Sequence, residues 1–311
     1  MGKGVVGILA IPILRLLAWV WYAQPTRLRL FWGDALGAAL RKAEVRAEVV
    51  RANLERAYPG DAHGELRETL FRAAYRHVGL LTLEVLLLFG PLRRFALGRC
   101  EIIGLDHWRA AKELNRGVIL LANHVGNWEI MAATGVLHGD IDILLVTKRL
   151  KPAWLHAAIE KARLACRVRA TYEPRTFKDV LRHLSGNGTV GIVLDQYAGP
   201  PVGVRVPFFG IPVGTHSVIA TLAKRTGSPV LPVVNHRRPD GSFLVEIQAQ
   251  VAWESDPDAS REVALNTARY AAVMESHVRA YPDQWLWTHR RFKGELGPLG
   301  EGEWSRSRAR K

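Results

Sequence analysis

The chain has 311 residues, 43 Lys and Arg against 29 Asp and Glu, and a formal charge of +14. Hydrophobic residues at 48% and charged residues at 23% fit a folded α/β chain with a large core, and exclude a disordered, collagen-like or many-span membrane protein. Only two cysteines occur, Cys100 and Cys166, outside any C-x-x-C spacing, which leaves neither a disulfide framework nor a cysteine zinc site and favours a reducing compartment. The positive excess calls for a negatively charged partner, and nucleic acid, an anionic membrane or a phosphorylated substrate all qualify until position along the chain decides.

Residues 4–24 read GVVGILAIPILRLLAWVWYAQ, an apolar run with Arg15 as its one charged side chain. A helix of this length covers about 30 Å of hydrocarbon, and Trp19, Trp21 and Tyr22 gather at one end, where amphipathic rings prefer the lipid interface. The expectation is a membrane anchor over residues 1–26, either spanning or lying in the plane. Arg15 costs about 2.5–3.5 kcal/mol at a bilayer centre and Pro12 kinks a spanning helix, so the in-plane arrangement is a real rival. A buried core helix is the other alternative; a signal peptide is disfavoured by the length of the run and the lack of a small-x-small cleavage site. Lys3 before the run and Arg27 and Arg29 after it give a modest bias toward a body on the cytoplasmic side of the inner membrane.

From 34 to 88 the pattern is helical, and Tyr58-Pro-Gly-Asp61 divides it into two helices. Its many arginines, among them Arg41, Arg46, Arg51, Arg67 and Arg76, form solvated faces or meet anionic headgroups at about 1 kcal/mol each. After Gly98 short apolar runs alternate with helical patterns, the signature of strands packed between crossover helices. Strands are expected at 117–122, 141–146, 189–194, 230–234 and 243–247, with helices at 127–137, 153–166, 176–184, 217–226 and 259–280. The fold class is therefore α/β, a mixed sheet sandwiched by helices, with an N-terminal membrane-anchoring helix. The organisation expected is an anchor over 1–26, a helical membrane-proximal segment over 27–97, a catalytic body over 98–295 and a disordered basic tail over 296–311. Gly186-Asn-Gly-Thr-Val-Gly191 matches G-x-G-x-x-G by spacing, but it follows a helix and leads into a strand, the reverse of a dinucleotide fingerprint.

The stretch 117–129, GVILLANHVGNWE, carries the chemistry. A buried strand delivers Asn123 and His124 to its carboxyl end, where ligands bind in open α/β sheets, and Glu129 follows five positions later. Five residues of regular helix turn about 500°, which would leave His124 and Glu129 about 140° apart. A His–carboxylate pair therefore requires Val125-Gly126 to bend and the helix to begin near Asn127, a favoured N-cap, with Glu129 in its first turn. In that geometry the carboxylate fixes the imidazole tautomer, the free nitrogen takes a proton, and the helix N-terminus stabilises an oxyanion. No serine or cysteine in the motif serves as nucleophile, so the activated hydroxyl comes from water or from an acceptor. Buried structural histidine is the bland alternative. A metal site is disfavoured because H-x4-E lacks the H-E-x-x-H spacing.

His124-Val-Gly-Asn-Trp-Glu129 resembles the H-x4-D/E motif of glycerolipid acyltransferases, and Asn123-His124 with the following residues resembles the late acyltransferases of lipid A biosynthesis, the lauroyl and myristoyl transferases. Leu194-Asp-Gln196, Val206-Pro-Phe-Phe-Gly-Ile-Pro212 with Thr215, Ala223-Lys-Arg-Thr-Gly-Ser-Pro229 and Pro282-Asp-Gln-Trp-Leu-Trp-Thr-His-Arg-Arg291 are similar to further segments of that family. The resemblance implies direct acyl transfer from acyl carrier protein to a glycolipid hydroxyl, most simply a lipid A precursor, without cofactor or metal and without a covalent acyl-enzyme. It implies His124 as general base, Glu129 as its orienting partner, and Asp195 and Arg163 as the supporting aspartate and arginine. Asn123, Gly126, Asn127, Arg163, Asp195 and Gln196 are the expected substrate-binding group, and Phe208 and Phe209 line an acyl path or pack the core. Trp285 and Trp287 alternate as in a strand, with burial the simpler role. His289, Arg290, Arg291 and Lys293 contact a phosphate or the acidic carrier, or are solvated surface. The partners expected are thus acyl carrier protein, an anionic glycolipid and the membrane, with no nucleic acid, since no stacking platform or nucleic-acid module is readable. Phosphatidylinositol mannoside, an ornithine lipid and a lysophospholipid remain alternative acceptors, and a lipid hydrolase with His124 activating water remains an alternative reaction.

Overall fold

The computed structural model describes residues 2–293, with side chains from residue 10 onward. The chain opens with helices α1 (Gly2–Ala23), α2 (Thr26–Lys42), α3 (Ala47–Ala57), α4 (Gly64–Glu84) and α5 (Leu92–Arg99). It continues through β1 (Cys100–Ile103), α6 (Leu105–Glu113), β2 (Val118–Ala122), α7 (Trp128–Gly139), β3 (Ile143–Val146), α8 (Ala153–Ala165), β4 (Arg169–Thr171), α9 (Thr176–Ser185) and β5 (Thr189–Val193). The remainder is β6 (Gly203–Phe208), β7 (Ile211–His216), α10 (Val218–Thr226), β8 (Val230–Arg237), β9 (Phe243–Ile247) and α11 (Ala259–Ala280). The expected tail, 296–311, lies outside the described residues.

Seven strands form one sheet in the order β1-β9-β8-β2-β5-β3-β4. Its neighbours run parallel except β8 and β9, which are antiparallel, so the sheet is mixed as the sequence predicts. β2 is buried along its whole length because its run, VILLA, is apolar at every position and both sheet faces are covered. Alternate side chains separate onto the two faces. Ile119 and Leu121 pack with Tyr270, Met274, Leu54 and Phe71 from α11, α3 and α4. Val118, Leu120 and Ala122 pack with Ala18, Phe95 and Ala133 from α1, α5 and α7.

Four features depart from the expected pattern. The helical region between 34 and 88 breaks a second time before α3, where Glu44 (φ 51°) and Arg46 (φ 58°) take left-handed conformations without a glycine or proline to announce them. β1, α6 and β4 were not expected, being short and weakly patterned. The segment from Gly203 to His216 is an antiparallel hairpin of its own, β6 and β7, turned at Phe209-Gly210. Trp285 and Trp287 lie in an irregular stretch that makes a single bridge, Val125 to Trp285, in place of a strand.

Close helix contact explains a glycine pattern near the start of the chain. Gly33 and Gly37 on α2 meet Gly79 on α4, and a Cβ at Gly79 would stand 2.2 Å from the Gly33 carbonyl oxygen. The two backbones therefore touch, and no larger residue fits.

The spanning form of the anchor expectation requires correction. Residues 2–23 do form a helix, but among the described residues no helix is long and apolar enough to cross a membrane. α1 instead packs Ala18 and Trp21 into the core against Leu87 and Leu88. Its opposite face leaves Ile13, Leu16, Leu17 and Val20 exposed, at the i, i+3, i+4, i+7 spacing of one helical stripe, and α2 adds exposed Leu28, Phe31 and Trp32.

Candidate active site

β2 and β5 run parallel with Ala122 beside Val193, so both deliver the residues that follow them to one edge of the sheet. His124 comes from β2 and Asp195 from β5, 71 positions apart in sequence. The imidazole Nδ1 lies 2.7 Å from Asp195 Oδ1, and the His124 backbone N–H donates to Oδ2 at 2.8 Å. Trp285 Nε1 donates to the same Oδ2 at 2.7 Å. An ionised carboxylate only accepts, so Nδ1 carries a proton whether the ring is charged or neutral, and in the neutral imidazole Nε2 is the nitrogen with the free lone pair. Burial works against the Asp195 charge, but the charge and hydrogen bonds of His124 and the Trp285 indole outweigh it and hold the carboxyl down to about 2. Nε2 looks toward the exposed Gln196 amide at 3.4 Å, and the Trp128 ring meets the imidazole edge-on at 4.7 Å.

The carboxylate that holds the imidazole is therefore that of Asp195, and the His124–Glu129 pairing expected from the motif is corrected. Glu129 commits both oxygens to Arg163, at 2.6 Å to Nη2 and 2.9 Å to Nε. Arg163 Nη1 also donates to Glu160 at 3.0 Å and to the Tyr172 hydroxyl at 3.2 Å. Burial opposes the Arg163 charge, yet its hydrogen bonds to Glu129 and that carboxylate's charge raise its pKa above the ordinary range. Arg163 thus joins α8 to the first turn of α7, a short step from the imidazole.

The bend between β2 and α7 forms as the sequence requires. Gly126 sits at φ 65°, and a Cβ there would lie 2.5 Å from the Asn235 carbonyl oxygen. Asn127 caps α7, its Oδ1 accepting from the backbone N–H groups of Glu129 and Ile130. Its Nδ2 donates to Glu84 Oε2 at 3.0 Å, inside a buried pair of Glu84 with Arg237 closed by bonds of 2.7 and 2.8 Å. Asn123 is equally occupied: Oδ1 accepts from Val125 N–H, and Nδ2 lies 2.9 Å from His277 Nδ1. Asn123, Gly126 and Asn127 are all buried. The structure corrects their placement as substrate-facing groups: they build the turn that aims His124, and Gln196 is the exposed member of the expected set.

The family model for bacterial lipid A biosynthesis acyltransferases matches residues 9–294, nearly the whole of the described chain. The chain belongs to this family. Over 267 residues it is 28% identical to the lipid A biosynthesis lauroyltransferase of Escherichia coli strain K12, covering 84% of this chain and 84% of that protein. It is 26% identical over 287 residues to the lipid A biosynthesis palmitoleoyltransferase of the same organism, covering 91% of this chain and 90% of the relative. The phosphatidylinositol mannoside acyltransferase of Mycolicibacterium smegmatis is 26% identical over 189 residues, 60% of each chain. The chain is accordingly an acyltransferase.

Within this acyltransferase, Phe208 is fully buried against Phe209, Trp285 and Phe292, which places it in the core and not on an open path. Phe209 lines a shallow groove with Glu55, Arg56, Pro59, Gly210 and Ile211, which neither His124 nor Asp195 reaches. A narrower crevice beside Glu129 runs between Leu81, Val85, Leu88 and Leu92 on one wall and Trp128 and Ile130 on the other. Arg291 is fully buried and so cannot be part of a basic surface for phosphate or carrier.

Sequence reasoning missed the roles of Trp285, His277, Glu84 and Arg237. Trp285 had a signal in the Gln-Trp-Leu-Trp segment, but burial explained it sufficiently. His277 carried none, since nothing in the sequence ties it to Asn123, 154 positions earlier. Burial holds the His277 imidazole down to about 4 and hence neutral, consistent with Nδ1 accepting from Asn123 while Nε2 donates to Gln248 at 2.9 Å.

Proposed function

We propose that the enzyme moves a fatty acyl group from acyl carrier protein to a hydroxyl of a lipid A precursor, by direct attack, with His124 as general base. The observation that carries the reading is the His124–Asp195–Trp285 arrangement: a buried carboxylate fixes Nδ1–H and leaves Nε2 facing the open side of the sheet edge. The acceptor hydroxyl loses its proton to Nε2 as its oxygen attacks the thioester carbonyl, and Asp195 stabilises the imidazolium that forms. The tetrahedral intermediate collapses with departure of the carrier thiolate, which recovers the proton from Nε2. Glu129 and Arg163 serve as a structural ion pair at the start of α7 in this reading, holding the helix N-terminus beside the reacting centre.

A membrane-surface position accompanies the reaction, because both the precursor and the product are lipids. The exposed stripe of Ile13, Leu16, Leu17 and Val20, continued by Phe31 and Trp32, supports an in-plane attachment at the inner membrane with the body on the cytoplasmic side. The relative that acts on phosphatidylinositol mannoside favours that lipid as a second candidate acceptor. Purified enzyme incubated with acyl-carrier protein and either acceptor, followed by mass spectrometry, separates the two. Mass spectrometry of total lipids from cells lacking the protein names the acceptor and the chain length together. Release of free fatty acid with neither acceptor acylated would replace transfer by hydrolysis.

A further inference from the structure

Arg291 is the one basic residue of the carboxyl-terminal segment that the sequence treats as surface and the structure places at zero exposure. Its Nη1 donates to the Gln196 carbonyl at 3.1 Å and the Gly214 carbonyl at 3.0 Å, and Nη2 donates to Thr215 Oγ1 at 2.7 Å. The guanidinium carbon lies 4.7 Å from the centre of the Phe208 ring. Every hydrogen-bond acceptor is thus neutral, and among the described residues no ion pair joins Arg291 to a carboxylate. A buried cation held only by dipoles is costly to fold around unless the charge serves something. The opposite charge within reach is Asp195, one residue before Gln196.

We propose that Arg291 is a positioning residue of the acyl-transfer site, pinning the Asp195-Gln196 strand end to the β6–β7 hairpin and supplying the positive charge that offsets Asp195. The inference rests on His124 acting as base with Asp195 behind it. Two consequences follow from the geometry. The fork of donors spans β5's exit and β7 together, so a lysine, with one compact ammonium, keeps the charge but not the span. The charge itself opposes the field that Asp195 presents to the imidazole, so its removal should favour the protonated ring. Burial pulls the Arg291 pKa down, to about 10, with the Asp195 charge acting in the other direction, and the group stays cationic at neutral pH. The other groups that face this centre are Trp285, hydrogen-bonded to Asp195, and His289, which feels Asp195, His124, Arg291 and Arg46 and is held below its ordinary pKa first by burial.

The test compares Arg291→Gln and Arg291→Lys in the full-length enzyme by the pH dependence of kcat/KM and by an NMR titration of the His124 ring, assigned through His124→Ala. The glutamine variant should move the acidic limb and the ring titration upward by about one pH unit, a tenfold loss on the limb beyond any loss on the plateau. The lysine variant should leave the limb in place and lower the plateau. An unmoved limb and an unmoved ring titration in Arg291→Gln, with only the plateau lowered, would reduce Arg291 to a structural staple. Should the glutamine variant not fold, an upward shift in Arg291→Lys overturns the charge argument by itself. The ring titration needs no substrate, so it reads Arg291 even where the transfer reaction fails with every acceptor.

Discussion

Replacing Asp195 by asparagine tests the site most sharply, because the structure dictates which way the new amide must face. Oδ2 accepts from two donors that cannot become acceptors, the His124 backbone N–H and the Trp285 indole. The asparagine carbonyl must therefore occupy that position, and its amino group then faces His124 Nδ1 across 2.7 Å, where Oδ1 now stands. Nδ1 is forced to accept, the proton moves to Nε2, and the lone pair that takes the acceptor's proton is lost. A wrong-tautomer substitution of this kind costs about 10⁴ in kcat in the serine-protease triad, and a loss of about 10³–10⁴ is expected here. The same variant loses the charge of a carboxyl whose pKa falls from 3.8 to about 2 on folding, a contribution of about 2 kcal/mol. Since the folded pKa is the lower one, that stability is present in the wild type above pH about 4 and disappears as pH falls toward 2. Acyl transfer measured by mass spectrometry, with circular dichroism melts at pH 7 and pH 3, covers both effects. A folded Asp195→Asn enzyme within tenfold of wild-type kcat would refute the orientation argument.

His124→Ala should abolish transfer and free fatty acid release together, read in the same mass-spectrometric assay, and should lower the melting temperature, because the buried Asp195 carboxylate keeps only the Trp285 indole and the backbone N–H of residue 124. Glu129→Gln leaves the Arg163 guanidinium buried with only Glu160 as a charged partner, so a stability loss of about 3 kcal/mol is expected in denaturant melts. An Arg163→Met partner restores part of it in a double-mutant cycle; additivity of the two losses would mean that the pair is not coupled. Gly79→Val should cost at least about 1–3 kcal/mol, since its Cβ meets the Gly33 carbonyl at 2.2 Å and α2 must move off α4. Leu16→Glu combined with Phe31→Glu should weaken sedimentation with anionic vesicles without changing the melting temperature, whereas unchanged sedimentation would remove α1 and α2 from the membrane contact.

The turn after β2 was legible because its constraints are local. An apolar strand, a glycine and an asparagine three residues past a histidine leave one way for the chain to reverse, and Gly126 and Asn127 adopt it. The partner of His124 was not legible in the same way. Glu129 was the carboxylate near in sequence, but a carboxylate in the first turn of α7 points where α8 presents Arg163, and the pairing follows from the packing of those helices. Asp195 reaches the imidazole because β2 and β5 are adjacent and parallel in register, a fact about strand order that no spacing within either segment contains.

The sequence by itself determined the α/β class, the placement of His124 just past the carboxyl end of the strand at 118–122, the bend and cap that follow it, and membership in an acyltransferase family through motifs spread along the chain. Hydrophobic periodicity and backbone constraints act over a few residues and leave their mark in order. The tertiary structure alone decided that Asp195 holds the His124 imidazole, that Glu129 answers to Arg163, that α1 turns one apolar stripe outward, and that Arg291 points inward. Each of these depends on which surfaces meet. Charges and hydrogen bonds act through space between elements, whose separation in the sequence carries no information about their distance.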